Sequence, residues 1–142
     1  MTVMLLTEID HVAIAVRDLD AAVAYYAEAF GAEVAHREVV ESDGVEEALV
    51  KVADSYIQLT RATRPDSPIA RSIEKRGEGL HHVGYRVADC QQAYDAMVAA
   101  GRETVGVALL HAYANPEHER QVGERFRQRA PGIAVSLSSQ VS

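Results

Sequence analysis

Apolar residues alternate with polar or small ones from His11 to Val16, as on a strand with one buried face. The period then lengthens. Leu19, Val23, Tyr26, Ala27 and Phe30 recur at helical spacing, with Asp18 or Asp20 placed to cap the first turn and Gly31 to end the last, so a helix is expected over Leu19–Phe30. Alternation returns over Glu33–Val40 and Val45–Val52, joined at the turn Ser42-Asp43-Gly44, and again over Ser55–Thr60. Residues 1–60 therefore form a β-α-β-β-β module. Residues 61–79 carry Pro65, Pro68, Gly77 and Gly79 around a short helical piece at Ile69–Lys75, and form a linker.

A second module, 80–142, opens as the first did, with a strand over Leu80–Val87, a cap at Asp89 and a helix over Cys90–Ala100 closed by Gly101. It then departs from the first. A strand over Val105–Tyr113 is followed by a helix over Pro116–Arg129, where Asn115 is the cap, Pro116 fits the first turn, and Glu117, Glu119, Arg125, Arg127 and Arg129 suit the two ends of the dipole. The turn Pro131-Gly132 leads to a strand over Ile133–Val141, so the second module reads β-α-β-α-β from pattern alone.

The two openings are copies of one segment. Ile9–Leu19 and Leu80–Cys90 align with His11 and His82 at the same place in the strand, 71 residues apart. A metal-capable side chain repeated on a repeated module points to one site built from two halves. His81 is expected on the opposite face from His82, because successive strand residues alternate. Of the adjacent pair Glu46 and Glu47, one is expected to face solvent for the same reason.

Composition narrows the setting. A chain of 142 residues with 48% hydrophobic content can bury one real core, and its net charge of −7 argues against nucleic-acid binding, which favours a basic face. No long apolar run or cleavable signal is visible, so a soluble, cytoplasmic protein without membrane contact is expected. A single cysteine, Cys90, excludes an intramolecular disulfide.

The stretches IDHVAIAVRDLDAAVAYY, HREVV, PDSPIA and EKRGEGLHHVGYRV, in this order, resemble methylmalonyl-CoA epimerases of the vicinal oxygen chelate superfamily from Ile9 to about Gly101. The resemblance implies an α+β, glyoxalase-like fold. It also implies His11, Gln58 and His82 as ligands of a divalent metal such as Co²⁺, Mn²⁺ or Zn²⁺, and Glu47 as a proton-transfer base. The family's fourth ligand, a glutamate on the last strand of the second module, has no counterpart here, and no second base can be assigned. An acyl-CoA substrate and a homodimer are implied as well.

The tail resembles something else. Val107–Arg120 and Ala130–Ser139 look like a fragment of the hydantoinase/oxoprolinase family, and the two resemblances together imply a hybrid joined near Gly101–Val105. Two functions are therefore expected in competition: an epimerase-like enzyme impaired by loss of its final-strand glutamate, or a non-catalytic hybrid or scaffold that keeps a partial metal site.

Overall fold

A computed structural model describes residues 4–101, 104–107 and 134–137. The chain divides into two compact units, one ending at Ala88 and the other beginning at Asp89. The first unit contains β1 (Leu6–Ala15), α1 (Leu19–Phe30), β2 (Val34–Val40), β3 (Val45–Val52), β4 (Ser55–Ala62), α2 (Pro68–Arg76) and β5 (Gly79–Val87). Its strands make one sheet in the order β2-β3-β4-β1-β5. β1 and β4 are parallel, as a connection through α1 requires, and the other neighbours are antiparallel.

Local chemistry sets the ends of each element. Asp18, rather than Asp20, caps α1, its Oδ1 accepting from the Ala21 N–H at 2.9 Å; Gly31 closes the helix with φ 63°, a conformation that glycine adopts without steric cost. Asp20 instead meets Arg37 of β2 at 2.7 Å. Ser67 caps α2 by accepting from the Ala70 N–H at 3.0 Å, with Pro68 in the first turn. The β2–β3 turn is clamped by Arg64, which donates to the carbonyls of Glu41 and Ser42 at 2.6 and 2.9 Å.

Alternation decides which face is apolar. Ala48 and Val50 of β3 stand opposite Leu59 and Ile57 of β4. With Val16 and Leu19 they build a core against α1, where Ile14, Val23 and Tyr26 complete the packing. Glu46 lies on this side and does not face solvent. Arg37 and Arg61 both pair with it, at 2.9 and 2.5 Å, and hold its carboxyl below the usual range, with the Arg37 hydrogen bond the larger cause. Glu47, Leu49, Gln58 and Thr60 consequently belong to the other face of the sheet.

In the second unit, Asp89 accepts from the Gln92 N–H at 3.0 Å to start α3 (Cys90–Ala99), and Gly101 follows with φ 66°. β6 (Thr104–Val107) begins one residue before the strand expected over Val105–Tyr113, β7 (Ala134–Leu137) lies within the one expected over Ile133–Val141, and the two pair in parallel. Parallel neighbours need a crossover, and the corresponding strands of the first unit instead form an antiparallel meander. The helix expected over Pro116–Arg129 lies outside the described residues. Among the described residues no helix is long and apolar enough to cross a membrane.

Candidate functional site

The face of the sheet turned away from α1 carries the polar side chains in rows. His82 on β5, Ala13 on β1 and Gln58 on β4 stand directly opposite one another, with Leu49 of β3 next. Gly84, His11 and Tyr56 form the adjoining row on one side, and Ala15, Thr60 and Glu47 that on the other. Ala13 is only 1% exposed and has a short side chain, so longer ones from both neighbours can extend over it. His11, Gln58, His82 and Glu47 thus share one face.

Two bulges shape the histidine pair. Between Ile9↔Tyr85 and His11↔Gly84, β1 has one residue too many, Asp10; between Ala13↔His82 and Ile14↔Leu80, β5 has one too many, His81. A bulge sets two residues against one across the pairing, which suspends strict alternation and brings the extra side chain beside its successor. Asp10 Oδ2 accordingly lies 2.8 Å from His11 Nδ1. His81 does the same, against the expectation that it faces away from His82: their Nδ1 atoms are 2.8 Å apart and their ring centroids 5.1 Å.

The two repeated histidines meet edge to face, Nε2 to Nε2 at 3.0 Å. Space for this comes from Gly84, where a Cβ would lie 2.3 Å from His11 Cε1. Asp10 is held in turn by Arg86, whose Nε donates to its Oδ1 at 2.8 Å, while the same guanidinium reaches Glu8 and, at 2.5 Å, the Asp54 carbonyl. The hydrogen bond from His11 lowers the Asp10 pKa, over the opposing effect of burial and with help from Arg86. As a residue His82 is exposed, yet its ring edges are crowded. Burial first, then the charges of His11 and His81, push its pKa down to about 4, so it is neutral at pH 7.

Glu47 and Gln58 form the other half of the face. Gln58 Nε2 donates to Glu47 Oε2 at 2.5 Å, leaving the amide oxygen for another partner. Burial raises the Glu47 carboxyl above the usual range against this hydrogen bond, and Glu38, its cross-strand neighbour on β2, pushes the same way. A carboxylate shifted upward and set beside a neutral amide suits the acceptance and return of a proton.

Among the described residues no three His, Cys, Asp or Glu side chains gather as a metal cluster. A mixed set is better suited. The Nε2 atoms of His11 and His82, 3.0 Å apart, would be the imidazole donors of such a set to a metal ion. Asp10 accepting from His11 Nδ1 is the outer partner that leaves Nε2 bare toward such an ion. The amide oxygen of Gln58 is a chemically suitable third donor. Asp10, Arg86, Gly84 and the role of His81 are not read from the sequence, although the first and last share a place in the repeat and Gly84 is the repeat mate of Ala13.

The chain is similar to known proteins in sequence and in fold. Residues 10–121 match the family model described as Glyoxalase/Bleomycin resistance protein/Dioxygenase superfamily. An ethylmalonyl-CoA/methylmalonyl-CoA epimerase of Cereibacter sphaeroides is 37% identical over 99 residues, which cover 69% of this chain and 74% of the relative. A variant of the Streptomyces coelicolor methylmalonyl-CoA epimerase, in complex with 2-nitronate-propionyl-CoA, superposes with a TM-score of 0.62 at 42% identity, covering 67% of this chain and 73% of that one. The methylmalonyl-CoA epimerase of Mycobacterium tuberculosis gives 0.65 at 34%, covering 71% and 69%. With the α+β sheet and the duplicated histidine strand, these matches show that the chain belongs to the glyoxalase/bleomycin resistance protein/dioxygenase superfamily, in the family of the methylmalonyl-CoA epimerases.

Proposed function

We propose that the chain is a methylmalonyl-CoA epimerase-like enzyme that moves the proton on the carbon α to the thioester of 2-methylmalonyl-CoA. The observation that carries this reading is the meeting of His11 and His82 at 3.0 Å on the face that also holds the Glu47–Gln58 pair. The acyl-CoA class follows from the relatives, one of them complexed with an acyl-CoA analogue. Glu47 takes the α-proton as its C–H bond breaks and the electron pair passes toward the thioester oxygen; return of the proton by the acid so formed restores the starting epimer and accounts for exchange alone. Gln58 steadies the carboxylate through its N–H. Inversion requires return on the opposite face, from a second group that the described residues do not identify.

His11, His82 and Gln58 are the residues that would hold a divalent cation, Co²⁺, Mn²⁺ or Zn²⁺. When bound, the cation supplies stabilisation of the negative charge that develops on the thioester oxygen. The expected strand Ile133–Val141 has no carboxylate and only Gln140 as a substitute, so turnover is proposed to be low. A cytoplasmic homodimer of modules 1–60 and 80–142, linked by 61–79, belongs to the same reading.

A second reading has its own observation. The parallel pairing of β6 with β7, where the first unit has an antiparallel meander, favours a chain altered after Gly101, and the tail's likeness to a hydantoinase/oxoprolinase fragment agrees. The superfamily match continuing to residue 121 weighs the other way. On this alternative the chain is a non-catalytic hybrid or scaffold with a partial metal site. Metal content of the purified chain, with exchange of the substrate α-proton in D₂O, separates the two: bound metal with exchange supports the enzyme, and metal without exchange supports the scaffold.

A further inference from the structure

Asp10 and His81 stand 71 residues apart, the interval that separates His11 from His82. Each is the extra residue of a bulge in the β1/β5 pairing, and each meets the Nδ1 edge of the histidine that follows it at 2.8 Å. We infer that His81 is the positioning residue of His82, fixing which ring nitrogen His82 turns toward a divalent cation, as Asp10 does for His11. The inference rests on the metal-assisted reading above.

Donor and acceptor directions follow from Asp10, the one group in the hydrogen-bonded series Asp10–His11–His82–His81 that can only accept. Asp10, as a carboxylate, takes the Nδ1–H of His11, which leaves His11 Nε2 bare. Without a cation, that nitrogen accepts from the Nε2–H of His82 at 3.0 Å, and His82 Nδ1 accepts from the Nδ1–H of His81 at 2.8 Å. A cation shared by His11 and His82 needs both Nε2 atoms bare. His82 then carries its proton on Nδ1 and donates to His81, whose own proton moves to Nε2. The number of protons is unchanged; only their places differ. Imidazole serves in both states because either nitrogen can donate or accept. A carboxylate at position 81 serves only the cation-bound state, and a methyl group serves neither.

The test uses the full chain. In the metal-free protein with ¹⁵N-labelled histidine, the nitrogen shifts of His81 are expected to show its proton on Nδ1. In Co²⁺ titrations, His81→Ala is expected to weaken binding by roughly 10–100-fold, the usual effect of removing an outer partner, and His81→Asp to restore most of it with an unchanged d–d spectrum. A His81 proton on Nε2 in the metal-free chain, an H81A chain that binds Co²⁺ as the unsubstituted chain does, or an H81D chain as weak as H81A each overturns the inference. If the unsubstituted chain binds no Co²⁺, the metal-assisted reading fails and this role fails with it. The nitrogen shifts distinguish that failure from a His81 that never touches His82.

Discussion

His11 and His82 occupy equivalent places in two copies of one strand, and the backbone treats them alike: a bulge before each, a small residue across from each, Gly84 and Ala13 respectively. Their supports differ. The first histidine leans on a carboxylate that Arg86 holds in turn, the second on another imidazole. Duplication thus fixes the position of the rings, while the identity of the bulge residue decides what the Nδ1 edge of each ring meets, a carboxylate or an imidazole. The first arrangement favours a histidine that keeps one tautomer, the second a histidine that can change it.

Removing either ring is the harshest way to break the pair. His11→Ala and His82→Ala are each expected to weaken Co²⁺ binding by more than the roughly 10–100-fold that an outer partner costs, as read by titration. Equal losses mark the two halves as one site; a loss from one alone would mean that the repeat does not build a shared centre. Glu47→Gln comes next. It is expected to slow α-proton exchange by about 10²–10⁴-fold while leaving Co²⁺ affinity nearly intact, measured by NMR of the substrate and by the same titration.

The small residues sharpen the comparison. Gly84→Ala sets a Cβ 2.3 Å from His11 Cε1, so the ring must move; a loss of about 1–3 kcal/mol in denaturant unfolding and weaker Co²⁺ binding are expected. Its repeat mate Ala13→Gly, at a buried position, introduces no clash and is expected to cost about 0.5–1 kcal/mol from strand flexibility, with Co²⁺ binding retained. The smallest effect is one of pH. Folding lowers the His82 pKa from an ordinary 6.5 to about 4. The unfolded chain therefore binds the extra proton more readily, and this contribution is lost as pH falls from about 6.5 through about 4. Glu47, shifted upward, has the opposite sign: its contribution is present below its ordinary pKa of 4.5 and is lost as pH rises through the higher folded value. Urea unfolding of the metal-free chain should show a weaker acid-side decline in His82→Asn, and Glu47→Gln should remove the opposing trend.

Much of the first unit was legible because its apolar period is clean. The α1 bounds Leu19–Phe30 and the β3 bounds Val45–Val52 coincide with the expected ones, and the pairing of His11 with His82 follows from the repeat. Bulges were not legible, since an extra residue leaves the apolar pattern almost unchanged while it rotates a polar side chain. That is why His81 was expected to face away from His82 and lies beside it. Arg86 is not legible for a related reason: its partners Glu8, Asp10 and Asp54 are distant in sequence or set by the same bulge. Glu46 was separable from Glu47 only once Arg37 and Arg61 were seen to converge on it.

The central claim is that His11, His82, Gln58 and Glu47 together form a proton-transfer site for an acyl-CoA. Exchange of the C2 proton of methylmalonyl-CoA in D₂O, followed by ¹H NMR with the Co²⁺-loaded full chain and its His82→Ala and Glu47→Gln variants, tests it most directly. Exchange by the unsubstituted chain that both substitutions suppress is the predicted result. Exchange that persists in both variants, or none from a chain that binds Co²⁺ normally, would contradict it.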